Sequence, residues 1–246
     1  MQNIVYYLLS IAAVLIILTI HEYSHGYAAY KLGDNTARNL GRLSLNPIKH
    51  LDPIGALCMV FFHFGWAKPV PINPRYFKNP KRDFALVAMA GPLSNVILSF
   101  FSAFLYLLLN RIFSEISFSS EFLLQLATNT IIFVYIFHTI NLGLGLFNLI
   151  PIPPLDGSRI LTAILPAKLY FGIMKHERKI YFALIAWLFL GSYLSSFLLT
   201  IPTVSATPIL RGIAEALSLS SMLGKLISLI SSLMIKFWQL IPFLKF

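Results

Sequence analysis

Long apolar stretches with few or no charged residues alternate along the chain with shorter polar segments. Four of them, at about residues 4–30, 84–109, 122–150 and 180–201, are long enough to cross a hydrocarbon core of about 30 Å. Only the first contains an acidic side chain in its interior. The pattern predicts an all-α polytopic membrane protein, with four transmembrane helices surrounded by a lipid bilayer.

The segment at 38–78, between the first two spans, has Gly, Pro and Asn at short intervals. Its apolar centre, ALCMVFFHFGW at 56–66, is too short to cross a bilayer. We expect a small membrane-associated β-hairpin or re-entrant element here, and the run VFFHF at 60–64 favours a strand. The edge of such an element could pair with an extended substrate peptide.

The tail at 202–246 follows a membrane-embedded core that the pattern assigns to residues 1–201. The residue pattern of the tail predicts an amphipathic helix that lies on the membrane or packs against a partner. The alternative is a fifth, less hydrophobic span. Its apolar residues recur at helical spacing and are Leu223, Leu226, Ile230, Leu233, Phe237 and Leu240.

Basic residues set the expected orientation. Nine of the nineteen Lys and Arg lie at 31–82 and five more at 159–179, whereas the segment 110–121 holds one Arg and two Glu. The positive-inside rule then puts both basic segments in the cytoplasm and the N-terminus outside, with the fourth span leaving the cytoplasm. Because fourteen of the nineteen basic residues lie in these two loops, the net charge of +10 is explained by membrane orientation, and we expect no nucleic-acid partner.

The first span ends in the motif HEYSH, formed by His21, Glu22 and His25 with two residues between. Two His four residues apart share one helix face and can bind the same zinc, while the Glu between them can activate a metal-bound water. Ionisable groups inside a span are costly and are usually functional. The alternative is a buried His pair with Glu22 as an ion-pair partner, which does not explain the spacing.

A catalytic zinc needs three protein ligands and one open position. If Lys31 marks the membrane interface, His25 and His21 lie roughly 9 and 15 Å inward. The third span ends in NLIPIPPLDG at 148–157, whose three prolines break the helix, so Asp156 can reach the same depth. The alternative is an ordinary Asp-Gly turn. A helix would place His138 about 27 Å from Asp156. We therefore expect His138 to pack between helices or lie at the lipid interface and not to bind the metal.

Together, HEYSH, GPLSN at 91–95 and NLIPIPPLDG at 148–157 resemble the site-2 protease family of intramembrane zinc metalloproteases. The stretch GWAKPVPINPR at 65–75 is similar to the short bacterial members, which lack the PDZ and CBS domains of longer relatives. The resemblance implies an endopeptidase in the plasma membrane, with its active site toward the cytoplasm. Its substrate would be a transmembrane protein or peptide.

The resemblance also assigns roles to individual residues. One Zn²⁺ per chain is held by the two His of HEYSH and by Asp156, and Glu22 is the general base. The candidates for orienting substrate or stabilising an oxyanion are Asn95 and Asn148. Both Asn could instead form interhelical hydrogen bonds, and Gly91 could simply allow two helices to approach closely.

Other functions remain as alternatives. A metal transporter would need ionisable groups along a path, preferably in two symmetric halves. A scaffold with a structural zinc would need a fourth protein ligand. A membrane zinc protease of another family is the closest alternative among enzymes.

Overall fold

The computed structural model of the protein describes residues 2–62 and 66–245, and its regular structure is helical. A π-helical turn, Trp187–Gly191, joins the helices Glu177–Ala186 and Ser192–Leu199. The helices are α1 (Gln2–Lys31), α2 (Thr36–Asn39), α3 (Pro53–Phe62), α4 (Pro80–Ser114), α5 (Glu121–Asn148), α6 (Asp156–Ile164), α7 (Ala167–Met174), α8 (Glu177–Ala186), α9 (Ser192–Leu199), α10 (Pro202–Ala206), α11 (Pro208–Ala216) and α12 (Leu219–Trp238).

In the described part of the chain, five helical segments are long and apolar enough to cross a membrane, judged by length and composition. Four of them coincide with the predicted spans, and the fifth is the tail helix α12. The count of four is therefore not confirmed, since the tail meets the same criterion. The five segments are Ile4–Lys31, Pro80–Ser114, Glu121–Asn148, Glu177–Leu199 and Leu219–Trp238.

The predicted β element at 38–78 is not confirmed. Residues 60–62 of the run VFFHF belong to α3, and His63 and Phe64 lie outside the described residues. Within the described ranges, β pairing is limited to an isolated antiparallel bridge between Leu51 and Ala67. A helix pairs its backbone polar groups internally, whereas a strand at membrane depth needs a partner strand.

The core of the bundle is formed by α1, α4 and α5. Ala13 and Ile17 of α1 pack against Ile136 of α5 in a buried cluster. The two helices run in the same direction, because Leu9 and Ile132, which precede these residues, join the same cluster. Helix α4 packs against both and runs in the opposite direction, since its contacts with α1 pair Val87 with His25 and Asn95 with His21.

Helix α12 packs along α4 and α5, parallel to α4. Residues 242–244 therefore lie beside the end of α4. Three contacts fix this register: Ser231 Oγ lies 2.7 Å from Nε2 of His138, Trp238 Nε1 donates to the carbonyl of Phe100 at 2.9 Å, and the Arg111 guanidinium lies 5.8 Å from the ring centroid of Phe243.

The chain between α5 and α12 begins and ends at the same end of the bundle. Trp187 Nε1 donates to the carbonyl of Leu217 at 2.9 Å, so the residues after α9 turn back toward the middle of the α8–α9 segment. A membrane crossing by α8–α9 therefore requires a return crossing over 202–217. The predicted arrangement has the fourth span leaving the cytoplasm and does not include this return.

This register predicts which positions share a side of the membrane. In a Cys58→Ala background, we expect Ser119→Cys and Lys245→Cys to react with a membrane-impermeant maleimide from one side. Lys78→Cys should react from the opposite side. All three positions are exposed in the structure. Labelling of positions 245 and 78 from the same side would contradict the parallel placement of α4 and α12.

Candidate metal centre

The last third of α1 presents His21, Glu22 and His25 toward α4 and α6. Both imidazoles are almost completely buried, with 5% of His21 and 6% of His25 exposed. Their ring centroids lie 4.7 Å apart in an edge-on arrangement, as expected for residues one helical turn apart. The spacing in the sequence thus produces a pair of imidazoles on one face.

Asp156 reaches the two imidazoles because the chain reverses sharply after α5. Helix α5 ends at Asn148, and Asp156 is the first residue of α6. A methyl group at Gly157 would overlap the carbonyl oxygens of Leu149 and Ile150, so only glycine allows this tight turn. The three prolines of the intervening segment break the helix as the sequence predicts.

The three side chains bring their ligand atoms into a nearly equilateral triangle. The two Nε2 atoms of His21 and His25 lie 3.1 Å apart, and each lies 3.2 Å from Oδ2 of Asp156. Zinc bond lengths of about 2.0–2.2 Å in a tetrahedron place neighbouring ligand atoms about 3.3 Å apart. The triangle therefore fits one face of a zinc tetrahedron and leaves the fourth corner open.

Helix α4 supports both imidazoles from behind. The carbonyl of Val87 lies 2.7 Å from Nδ1 of His25, and the side-chain nitrogen of Asn95 lies 3.2 Å from Nδ1 of His21. Metal-ligating His residues commonly donate their second ring N–H to an acceptor such as a backbone carbonyl, as His25 does to Val87. The Nε2 atoms are thereby directed into the triangle.

Gly91 lets α4 approach this closely. A methyl group at position 91 would overlap the His25 ring and lie 2.7 Å from Cε1 of His21. The glycine of GPLSN therefore creates the space in which the two rings meet. The sequence suggested a close helix approach at Gly91, and the structure shows that the groups approached are the imidazoles.

Glu22 is held at the same site by the loop that follows α3. Its Oε2 accepts a hydrogen bond of 2.8 Å from the backbone N–H of Val70. Val70 is buried and packs against Gly26 of α1, where a methyl group would lie 3.1 Å from Cγ1 of Val70. One carboxylate oxygen is thus engaged by the backbone, which fixes the orientation of the group.

A cavity of about 400 Å³ opens onto these groups. His21, Glu22, His25, Asn148 and Asp156 all line it, together with the segment 66–72 and one face of α8. The sequence-predicted residues are therefore brought together on one cavity, with the exception of Asn95. That residue is completely buried behind His21 and does not line the cavity.

His138 is separate from this site. Its Nδ1 lies 2.9 Å from Ser99 Oγ and its Nε2 lies 2.7 Å from Ser231 Oγ, so it joins α4, α5 and α12. The sequence favoured a packing role for this residue, and its contacts agree with that role.

Comparison with known proteins identifies the family. Residues 9–191 match the sequence model of peptidase family M50. The chain belongs to peptidase family M50. The resemblance to site-2 proteases is thereby confirmed.

Three relatives of this M50 chain carry zinc metalloprotease names. "Putative zinc metalloprotease YwhC" of Bacillus subtilis is 45% identical over 68% of this chain and 75% of its own length. "Putative zinc metalloprotease Rip2" of Mycolicibacterium smegmatis is 28% identical over 79% of this chain and 78% of its own length. "Zinc metalloprotease MJ0392" of Methanocaldococcus jannaschii is 29% identical over 72% of this chain and 40% of its own length. No solved structure matches the chain.

Two supporting groups of this M50 site could not be found from the sequence, namely the Val70 N–H and the Val87 carbonyl. Both are backbone groups, which every residue carries, so no residue type marks them. The motif GWAKPVPINPR marks the loop that contains Val70, but it does not indicate the contact with Glu22.

Gly91 provides a direct test of the packing at this centre. We expect Gly91→Ala to weaken zinc binding about 5- to 150-fold, since overpacking a well-packed site costs about 1–3 kcal/mol. The dissociation constant can be measured by competition with a chromophoric chelator in detergent.

The matched control is Gly224→Ala in α12, where an added methyl group meets nothing within 4 Å. It should leave zinc affinity unchanged. Equal zinc affinity in Gly91→Ala and the wild type would show that the rings do not need this space.

Proposed function

We propose that this M50 chain is a zinc-dependent endopeptidase that cleaves peptide bonds within or next to a transmembrane segment of a membrane protein. The observation that carries the proposal is the convergence of His21, His25 and Asp156 on the cavity that also contains Glu22. The site lies in a bundle whose helices are long and apolar enough to cross a bilayer. The zinc metalloprotease names of the relatives support zinc as the metal.

In this proposal, His21, His25 and Asp156 hold one Zn²⁺ per chain. The bound zinc would act as a Lewis acid and lower the pKa of a coordinated water to about 7. In the described part of the chain, three potential metal ligands of the types His, Cys, Asp and Glu meet here, and a fourth does not join them. Structural zinc sites usually close with a fourth protein ligand, so the donor set favours a catalytic site.

Glu22 acts as the general base and then as the acid. It accepts a proton from the attacking water and delivers a proton to the leaving amine. The hydrogen bond from Val70 to Oε2 leaves Oε1 to carry the proton. Because that bond fixes the carboxylate, little orientational freedom is lost during the reaction.

Of the two Asn candidates, Asn148 is the one that can touch the substrate. It lines the cavity, and its Nδ2 donates one hydrogen bond to the carbonyl of Leu144 at 3.1 Å. The amide nitrogen has a second N–H, which can donate to the substrate carbonyl and to the oxyanion that develops from it.

The substrate must reach the cavity in an extended form, because the carbonyls of a transmembrane helix are occupied by its own hydrogen bonds. The segment 66–72 forms one wall of the cavity and contains no helix or turn. Pro69 and Pro71 lack N–H groups, so this wall offers few donors for a continuous ladder with a peptide. We therefore assign it mainly to holding Glu22 rather than to pairing with substrate.

The distribution of basic residues supports an orientation in a plasma membrane. The segments 31–82 and 159–179 are basic and lie at the end of the bundle that contains the metal centre. The positive-inside rule puts this end in the cytoplasm and the N-terminus outside. Cleavage would then take place toward the cytoplasmic side of the bilayer.

The test compares wild type with Glu22→Gln for zinc content and for cleavage of a model single-span substrate in detergent. The amide of Gln keeps an oxygen for the Val70 N–H but cannot accept the proton of the water. We expect about one zinc per chain in both proteins and a loss of cleavage in the variant of roughly 10²–10⁴-fold.

Glu115→Gln serves as the control, since Glu115 is exposed and pairs with Arg111 at the opposite end of the bundle. It should cleave like the wild type. If wild type and Glu22→Gln cleaved the substrate equally, and a chelator did not inhibit either protein, neither Glu22 nor the metal would take part in the reaction.

A further inference from the structure

The two imidazoles of the metal centre differ in what holds their Nδ1 atoms. Nδ1 of His25 lies 2.7 Å from the carbonyl oxygen of Val87. A carbonyl oxygen only accepts, so Nδ1 of His25 carries the hydrogen and Nε2 keeps its lone pair. The backbone alone therefore fixes the tautomer of His25 that binds a metal.

His21 has no such fixed partner, because its Nδ1 faces the side-chain amide of Asn95. An amide can offer either its NH₂ group or its oxygen, and the two ends have nearly the same shape. With the NH₂ group facing the ring, Nδ1 accepts and Nε2 carries the hydrogen, so Nε2 cannot bind a metal. With the oxygen facing the ring, Nδ1 donates and Nε2 keeps its lone pair.

The environment of Asn95 indicates which orientation the zinc site requires. Nδ2 lies 3.2 Å from Nδ1 of His21, while Oδ1 is buried and has no hydrogen-bond partner in the described part of the chain. Turning the amide by 180° places Oδ1 against Nδ1 of His21 and gives this oxygen a donor. The same rotation produces the His21 tautomer that a zinc ligand must have.

We propose that Asn95 is a positioning residue of the metal centre, whose Oδ1 accepts the hydrogen of Nδ1 of His21 and so keeps Nε2 free to bind zinc. This inference rests on the proposed zinc site. It differs from the role that the family resemblance implied, since Asn95 is completely buried and does not line the substrate cavity. Asn95 thus acts through His21 and not on the substrate.

The packing around Asn95 makes this hydrogen bond strong. A methyl group at Gly145 of α5 would lie 3.3 Å from Cβ of Asn95 and 3.0 Å from Cγ2 of Val96, so the two helices are in close contact. Because the residue is fully buried, water does not compete for the amide. A hydrogen bond in such a low-dielectric setting is electrostatically stronger than one in water.

Zinc affinity measured by chelator competition in detergent tests the proposal without relying on cleavage. Asn95→Leu keeps the approximate shape of the side chain but removes the acceptor. We expect its zinc dissociation constant to rise about 10–100-fold, the usual effect of losing a partner of a metal-ligating His. Asn95→Asp offers acceptor oxygens only and should bind zinc within a few-fold of wild type or more tightly.

The matched control is Asn141→Leu. Asn141 is also completely buried, but its amide donates to the carbonyl of Phe137 in its own helix. Its zinc affinity should equal that of the wild type, although the thermal unfolding midpoint of the zinc-free protein can fall in both Leu variants. A merely structural role of Asn95 would lower that midpoint and leave zinc affinity unchanged.

Two results would overturn the inference: wild-type zinc affinity in Asn95→Leu, or a loss in Asn95→Asp as large as that in Asn95→Leu. If Asn95→Leu does not fold, the comparison of Asn95→Asp with wild type decides, since a tenfold or greater loss there contradicts an acceptor role. Absence of zinc binding by the wild type would instead refute the proposed function itself, so the two failures are distinguishable.

Discussion

One constraint governs the structure: three side chains that could hold a metal ion must meet inside a bundle of apolar helices. Two imidazoles and a carboxylate lie within about 3.2 Å of one another, and both imidazoles are almost completely buried. Removing a carboxylate from water costs several kcal/mol unless a cation or hydrogen bonds compensate. In the proposed site, a divalent cation held by all three groups would provide that compensation, and the surrounding packing brings the three groups together.

Glycines at three positions make this convergence sterically possible. Gly91 gives the imidazoles room beside α4, Gly157 allows the tight turn before α6, and Gly145 brings α5 against α4 at Asn95. The ligands then lie on helix ends and faces that are fixed by neighbouring helices. A catalytic constellation supported in this way is held more precisely than one on a mobile loop. The loop that does contribute, at 66–72, is itself anchored by the Val70–Glu22 hydrogen bond.

Much of this site could be predicted from the sequence because its chemistry depends on residue types at fixed spacing. HEYSH indicates two candidate ligands and a candidate base on one helix turn, and the prolines before Asp156 indicate a break at a matching depth. The contact between Asn95 and His21 could not be predicted, because it depends on the rotation of α4 about its axis. The partners at Val70 and Val87 are backbone groups, which every residue carries, so no residue type marks them.

The fold was predictable to a similar extent. Hydropathy located the long helices, since a bilayer selects uncharged stretches of a given length. It did not settle the tail, because α12 is less apolar and its place depends on specific partners such as His138 and Trp238. The run at 60–62 favoured a strand by residue type, but no partner strand is present in the described residues, and the segment is helical.

The central claim is that His21, His25 and Asp156 bind one zinc and leave a position open. X-ray absorption at the zinc edge of the purified protein tests it most directly. The account predicts a first shell of nitrogen and oxygen at about 2.0–2.2 Å with two imidazoles and no sulfur. Zinc bound with a sulfur neighbour at about 2.3 Å, which would have to come from Cys58, or no bound zinc at all, would contradict it.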